Sequence, residues 1–541
     1  MKGDNTFYNY VKKFLIEHKM LIIFCLVELL FIYGVRIFGY NIGVDTENSM
    51  IGSPTLNQRR VAMGRFGLVL LKYIQPAGKF NLYAANFFAV LFLLFSSLFW
   101  CIIFDFYSKV KSNIGYFVFS LFYLSSPIWV EVIYFTTQAA ETVFIVALCP
   151  ICIYFMWEGM KKNRKIYTVG AICALAFLIS VYQAVIAMFC AGILIVYILE
   201  IENGKLTDKQ IKKLFINIVM SIACALVLYF AANSIFINLI FRIDKSSYLT
   251  KMIGGNKGES ITGKVALFFA FIYKIFFINT PIHGKLVAPI LVDYMGSEAV
   301  EHFTNAGHFS CILYLPALIY YVICFFRNKI RSIFYFLAGA GILGCAVIFV
   351  IAAGGSIAAR TLYAFALVGA FLIYYTITHV SKRTAYIWCA LVVLFGGNQT
   401  LRSSLLLTSD QTRYEKEVWL CDKINDEIQR IKNINHLSDE KVLVIGKCEF
   451  DYGANFLAGD MCGQSVMAWF GSTSKDESTS RTLAFMRAHG YSYKAVKKDD
   501  ENIDELRSAA DRMSVFPEEG WVSEYNGTII VKLSDFIYIE D

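Results

Sequence analysis

Asp45 and Glu47 are two carboxylates at positions i and i+2, in a polar stretch that follows directly on an apolar run from Met20 to Tyr40. A carboxylate at the edge of an apolar wall is a candidate general base, provided a hydroxyl comes within hydrogen-bond reach. Two residues apart, the pair shares a face if the loop is extended and does not if it is helical. The same stretch continues into Gly64, Arg65, Phe66 and Gly67. Further on, Glu131 follows Pro127 in Pro-Ile-Trp-Val-Glu, a second carboxylate able to face the first loop; flanking Trp and Tyr equally suit an aromatic interface belt. Tyr182 and Gln183 interrupt a long apolar run and would point at the same cavity as Asp45, though a polar turn needs no function. Arg360 carries a planar guanidinium that can fork onto a phosphate, or that simply snorkels to the membrane edge.

The elements that must position these groups lie in a membrane. Hydrophobic residues make up 57% of 541 and charged residues only 17%, and the mean hydropathy is +0.54, far from a soluble globular chain. A net charge of +8 would suggest a nucleic-acid partner for a soluble domain, but here Lys and Arg gather in short clusters between apolar runs, which is how helices are oriented in a bilayer. No nucleic-acid partner is expected. Most of the 14 cysteines lie inside apolar segments, and no CxxC or Cys/His spacing points to a structural zinc. Lys12, Lys13 and Lys19 place the N-terminus in the cytoplasm, and the first apolar run, with no small-residue cleavage site after it, reads as a retained helix. Asp45 and Glu47 then lie outside the cell membrane.

The apolar pattern predicts an α-helical polytopic membrane protein with about 11 transmembrane helices. Within the first, Glu28 and Arg36 are ionisable, and charge in hydrocarbon faces a cavity, a partner or the interface. Residues 61–74 read as one interfacial helix. Spans are expected near 82–104, 114–126 and 139–157, followed by two short helices in 166–201 with an outer tip at Ser180, Tyr182 and Gln183. Others follow near 215–241, 309–326, 332–351, 362–378 and 385–397. Residues 242–308 form a long outer segment in which 265–278 dips or lies flat; its Lys274, with Lys251, Lys257, Lys264, Lys285 and three histidines, suits an anionic lipid headgroup. The expected organisation is a transmembrane domain over 1–400, with outer loops at 41–80, 127–138 and 242–308, and a small extracytoplasmic α/β domain over 408–541. In the latter, 415–432 and 482–489 read as helices and 441–446 and 528–533 as strands.

The acidic pair in the first outer loop, the Gly64-Arg65-Phe66-Gly67 segment and the Tyr182-Gln183 break resemble the membrane glycosyltransferases of the O-antigen glucosyltransferase (Gtr) type, and through them the GT-C fold. Such enzymes commonly have Gly-Arg-Trp where this chain has Gly64-Arg65-Phe66. The resemblance covers about residues 15–400. It implies a polyprenyl-phosphate-sugar donor, with glucose as the favoured sugar, and a cell-envelope glycan acceptor: O-antigen, teichoic acid or wall polysaccharide. It also implies partners, a separate donor synthase and flippase, and membrane lipids around the donor tail.

On that resemblance Asp45 is the general base, Glu47 orients the acceptor, and Arg65, Arg360 and Lys274 neutralise the leaving phosphate. Glu131, Tyr182 and Gln183 bind sugar or acceptor. Single displacement implies inversion at the anomeric carbon. No cofactor is expected: a divalent metal would take oxygen ligands from Asp45 and Glu131, but too few carboxylates converge to favour one. No Gly-rich phosphate loop in a strand-to-helix context points to a nucleotide. The rival readings are a flippase or transporter of lipid-linked sugars, which would place functional charges deep in several helices, and a non-catalytic polysaccharide-assembly scaffold.

Overall fold

Apolar runs of about twenty residues bounded by lysine clusters fold as long helices, because in hydrocarbon only intrachain hydrogen bonds can satisfy the backbone. The computed structural model describes residues 4–52, 55–74, 80–204, 206–246, 265, 268–269, 312–328, 332–353, 358–438, 441–448, 450–467, 477–496 and 502–535. It is mostly helical, with several long apolar helices, as a membrane protein requires. Among the described residues seven helices are long and apolar enough to cross a membrane, or eight if a bent pair counts as one span. Lys274, the histidines and nearly all of the long segment at 242–308 lie outside the described residues.

The chain forms two compact units. The first comprises Met1–Phe38, Thr55–Tyr134 and Gln138–Ser404. Its helices in chain order are α1 (Asp4–Glu17) and α2 (Lys19–Phe38); then, numbered to leave α3 for the second unit, α4 (Leu56–Ala62), α5 (Phe66–Ile74), α6 (Leu82–Tyr107), α7 (Asn113–Leu124), α8 (Pro127–Tyr134) and α9 (Thr136–Lys161). There follow α10 (Lys165–Val181), α11 (Val185–Glu202), α12 (Asp208–Ile235), α13 (Tyr314–Arg327), α14 (Ile333–Ala352), α15 (Tyr363–His379) and the start of α16 (Lys382–Ile434). α14 packs on α11, α15 on α7, α12 on α10 and α2 on α6. The lysine-bearing helix ends are tied by carboxylates: Lys161 meets Glu200 at 2.6 Å, Tyr107 donates to Glu158, and Tyr335 and Tyr375 both donate to Glu202. Glu158 and Glu200, both buried, and the half-buried Glu202 are thereby paired or hydrogen-bonded.

Local structure departs from the sequence reading at three places. Residues 61–74 are not one helix, since the chain turns at Met63–Arg65 between α4 and α5, with Gly64 at φ +78°. The segment read as a loop at 127–138 is helical from Pro127, where a proline opens a helix at no hydrogen-bond cost, and α7 and α8 meet at a 45° bend. Expected separate helices near 385–397 and 415–432 are one continuous α16, which runs through Gly396-Gly397 with no Pro to divide it. Glu28 accepts from Thr400, and Arg36, fully buried, donates to the Tyr134 carbonyl at 3.0 Å. Both therefore have structural work in the first unit.

The second unit comprises Gly39–Pro54, Phe135–Thr137 and Leu405–Asp541. It holds α3 (Thr46–Met50), the rest of α16, α17 (Glu477–Ala488), α18 (Ile503–Asp511) and four strands: β1 (Lys441–Ile445), β2 (Lys494–Ala495), β3 (Val522–Tyr525) and β4 (Thr528–Lys532). The sheet order is β2-β1-β4-β3. β1 is parallel to β2 and β4, and β3 pairs antiparallel with β4 through a two-residue turn at Asn526-Gly527. Leu443, Ile445 and Ile530 from the strands pack with Leu506, Ala509 and Ala510 from α18 as an apolar core. On the sheet, Thr479 of α17 both accepts from the Val444 amide and donates to its carbonyl, which docks α17 against β1.

Candidate functional site

The acidic loop is set by a buried ionic network. Arg413 on α16 donates to Asp410 at 2.8 Å and Glu417 at 2.6 Å, and also to the Asn41 side chain and the Ile42 carbonyl; Asn41 in turn donates to Asp410. All of these side chains are buried. A guanidinium with five fixed donors can hold two carboxylates and a passing backbone at once. The chain leaving Asn41-Ile42 thus starts from a fixed point, closes a turn from the Thr46 amide to the Gly43 carbonyl, and enters α3.

Asp45 stands before α3 with φ +66°, a left-handed conformation that aspartate tolerates better than most residues, and Glu47 is in the first turn. The loop is therefore neither extended nor wholly helical across the pair. A third residue joins them: Arg481 on α17 donates from Nη2 to Asp45 Oδ1 at 2.9 Å and from Nη1 to Glu47 Oε1 at 2.8 Å. Asn48 also donates to Glu47 Oε1. The two carboxylates differ in access, for the Asp45 side chain is 50% exposed and that of Glu47 0%.

That difference sets their chemistry. Burial pushes the Glu47 carboxyl up to about 7, against the opposing charge of Arg481 and with a smaller push from Asp45. Glu47 Oε2 is buried and has no hydrogen-bond partner among the described residues, so the charged form is incompletely solvated. Asp45, on the same guanidinium, keeps contact with water. A half-exposed carboxylate and a buried neighbour able to hold a proton near neutrality are brought together on one arginine.

Sequence reasoning did not single out Arg481. It is 434 residues from Glu47, and its neighbours Thr479, Ser480 and Thr482 form an ordinary polar helix start. Only the docking of α17 on β1 aims it at the acidic loop, and no local signal marks that.

The first unit gathers a second set. Arg65 donates to the Gln138 side chain at 3.2 Å and lies over the Tyr182 ring, 4.5 Å from its centroid. Gln183 donates to the Met63 carbonyl at 2.8 Å and Tyr229 to the Gly64 carbonyl at 3.0 Å. Tyr182-Gln183, the break between α10 and α11, thus grips the Met63–Arg65 turn. A Cβ on Gly64 would sit 2.5 Å from the Tyr229 hydroxyl, and one on Gly67 would meet Ser180 of α10. Phe66 stacks on Phe236 at 4.5 Å. Each member of Gly64-Arg65-Phe66-Gly67 therefore has a physical reason, the glycines for close approach and the arginine for what it presents.

Tyr182 lies 5.6 Å from Tyr363, and Trp129 stacks on Tyr363 at the same distance. The charges of Arg65 and Arg360 both bear on Tyr363. Arg360 stands on a short 3-10 turn, Ala359–Thr361, that packs on α8. Glu131 is on α8 itself and is 2% exposed, not in an open loop, because its apolar neighbours bury the helix on all sides. Lys72 on α5 pairs with Glu141 on α9 at 2.6 Å. Among the described residues no three His, Cys, Asp or Glu side chains group as metal ligands.

The sequence profile of the family described as Glucosyl transferase GtrII matches residues 34–395, more than half of the chain. No curated protein matches it. Asp45, Glu47, Arg65, Glu131, Tyr182, Gln183, Lys274 and Arg360 all fall within the matched residues, whereas Arg481 and the sheet do not.

Proposed function

This chain belongs to the GtrII glucosyl transferase family, a membrane glycosyltransferase, and from that premise we propose that it moves glucose from a polyprenyl-phosphate carrier to a cell-envelope glycan on the outer face of the cytoplasmic membrane. The acceptor hydroxyl oxygen forms a bond to the anomeric carbon as the bond from that carbon to the phosphate oxygen breaks, with inversion. The hydroxyl proton passes to Asp45 and the electron pair leaves with the lipid phosphate. Arg65 and Arg360 receive the charge that grows on that phosphate.

The observation that carries this reading is Arg481 held between Asp45 and Glu47. Arg481 occupies Oδ1 of Asp45 and fixes its plane, while the half-exposed carboxylate keeps its second oxygen for a substrate hydroxyl. Glu47, buried and able to carry a proton near neutrality, orients the acceptor and keeps the total charge at the site low. Lysine clusters at 109–111 and 161–165 support a cytoplasmic face opposite the Tyr182-Gln183 break, since α10 runs from Lys165 at one end to Val181 at the other. The reaction needs no cofactor in this scheme. Its partners are the lipid-linked donor, the glycan, and the enzymes that make and flip the donor.

The test is transfer of labelled glucose from synthetic polyprenyl-phosphate-glucose to envelope glycan by purified protein. Asp45→Asn is expected to lower the rate by about 10²–10⁴-fold, the usual worth of a general base, with donor binding retained. Equal rates for the two proteins would remove Asp45 as the base. Donor binding without any transfer by the wild type would favour a carrier of lipid-linked sugar instead.

A further inference from the structure

The second unit contains a cleft of about 990 Å³ that the scheme above does not use. Its floor is made where two parallel neighbours end. Lys447, Cys448, Phe450 and Asp451 follow β1, and Leu533, Ser534 and Asp535 follow β4. The two segments run in contact because Gly446, at φ +76°, leaves no Cβ to strike Ser534, whose hydroxyl takes the Lys447 amide at 2.9 Å. Ligands of open α/β sheets sit outside the carboxyl ends of such strands.

The walls are aromatic. Trp419 on α16 is 46% exposed, and its ring stands edge-on to Phe450 at 6.4 Å and Phe516 at 6.1 Å. A large apolar ring left in water at the mouth of a crevice is a platform for a flat, partly apolar ligand. Around it the charges nearly cancel: Glu415, Asp451 and Asp535 stand against Lys416 and Lys447. Such a lining does not favour a phosphate-rich polymer or an anionic headgroup, which would draw a net positive surface. It suits a chain of neutral sugars, whose rings offer C–H faces to the aromatics and hydroxyls to the carboxylates.

We propose that this cleft binds a neutral stretch of the acceptor glycan, holding the polymer while its reactive hydroxyl is used elsewhere. The proposal deepens the glycosyltransfer reading and rests on it for the identity of the polymer. Because the cleft lies outside the residues that match the family, acceptor choice would be a property of this chain's own C-terminal residues.

The experiment measures binding of oligosaccharides, released from the envelope polysaccharide of the producing cell, to the full-length protein in detergent, by calorimetry and by Trp fluorescence. Wild type should bind them saturably, and Trp419→Ala and Asp451→Asn should each weaken binding by about tenfold. The same variants should raise the acceptor concentration needed for half-maximal transfer more than they lower the maximal rate. Asp451 is exposed, so its variant keeps the test valid if Trp419→Ala fails to fold. Wild-type binding that neither substitution changes, or no binding to wild type, overturns the cleft. Binding that depends on Trp419 in a protein that transfers no sugar would leave the cleft standing and overturn the transferase reading.

Discussion

Arg481 donates to Glu47 at 2.8 Å and to Asp45 at 2.9 Å, so that one guanidinium reads both carboxylates of the acidic loop. The bridge requires a planar group with two separated donors, which lysine lacks. Arg481→Lys should retain the fold and lose at least about tenfold in maximal transfer rate, because an ammonium lacks the fixed planar fork that sets both carboxylates in one geometry. A lysine variant with the wild-type rate would show that the bridge does not position the base.

Removing the charge altogether separates stability from positioning. Arg481→Met leaves Glu47 buried without its counter-charge, and stranding one partner of a buried pair costs about 3 kcal/mol. The loss should be largest at pH 8 and smaller at pH 5, where Glu47 holds a proton. Denaturant unfolding at the two pH values measures it, and an equal loss at both would contradict the assignment.

Glu47 itself makes a pH-dependent contribution whose sign is fixed. Its carboxyl is raised from 4.5 to about 7 in the folded protein, so between those values the folded state binds the proton that the unfolded state has released. This contribution is fully present below about pH 4.5, falls as pH rises through about 7 and is flat above, a total on the order of 3 kcal/mol. Glu47→Gln should remove that slope, as seen in thermal unfolding across pH 4.5–8. A slope unchanged by the substitution would place the titration elsewhere.

Arg65 combines a hydrogen bond to Gln138 with a seat over Tyr182. Arg65→Lys keeps the charge and loses the stack and the fork, so the donor concentration for half-maximal rate should rise by about tenfold, with a smaller change in the maximal rate. Titration of polyprenyl-phosphate-glucose in the transfer assay measures both. A change confined to the maximal rate would argue that Arg65 acts on the acceptor side.

The turn that aims Arg65 depends on Gly64. An alanine there must take a left-handed φ at about 1–2 kcal/mol and must also push back the Tyr229 hydroxyl, 2.5 Å from the new Cβ. Gly64→Ala should therefore lower stability and reproduce the donor defect of Arg65→Lys. Tyr229→Phe on the Gly64→Ala background should recover part of the stability, since the obstructing hydroxyl is then absent.

Sequence by itself determined the class of protein, the acidic pair and the Gly64-Arg65-Phe66-Gly67 segment, because apolar periodicity and lysine clusters are local signals that a bilayer enforces directly. It also marked the Tyr182-Gln183 break, since polar residues in the middle of an apolar run have few places to go. The tertiary structure alone decided which residues complete each group. Arg481 reaches the acidic loop through a helix docked by Thr479 on β1; Glu131 is buried in a helix that begins at Pro127; and Tyr363 collects the charges of Arg65 and Arg360. These are contacts between segments far apart in the chain, set by packing and burial, and neither spacing nor periodicity carries that information. The raised Glu47 carboxyl follows the same logic: a sequence names the group, and only its enclosure decides what the charge costs.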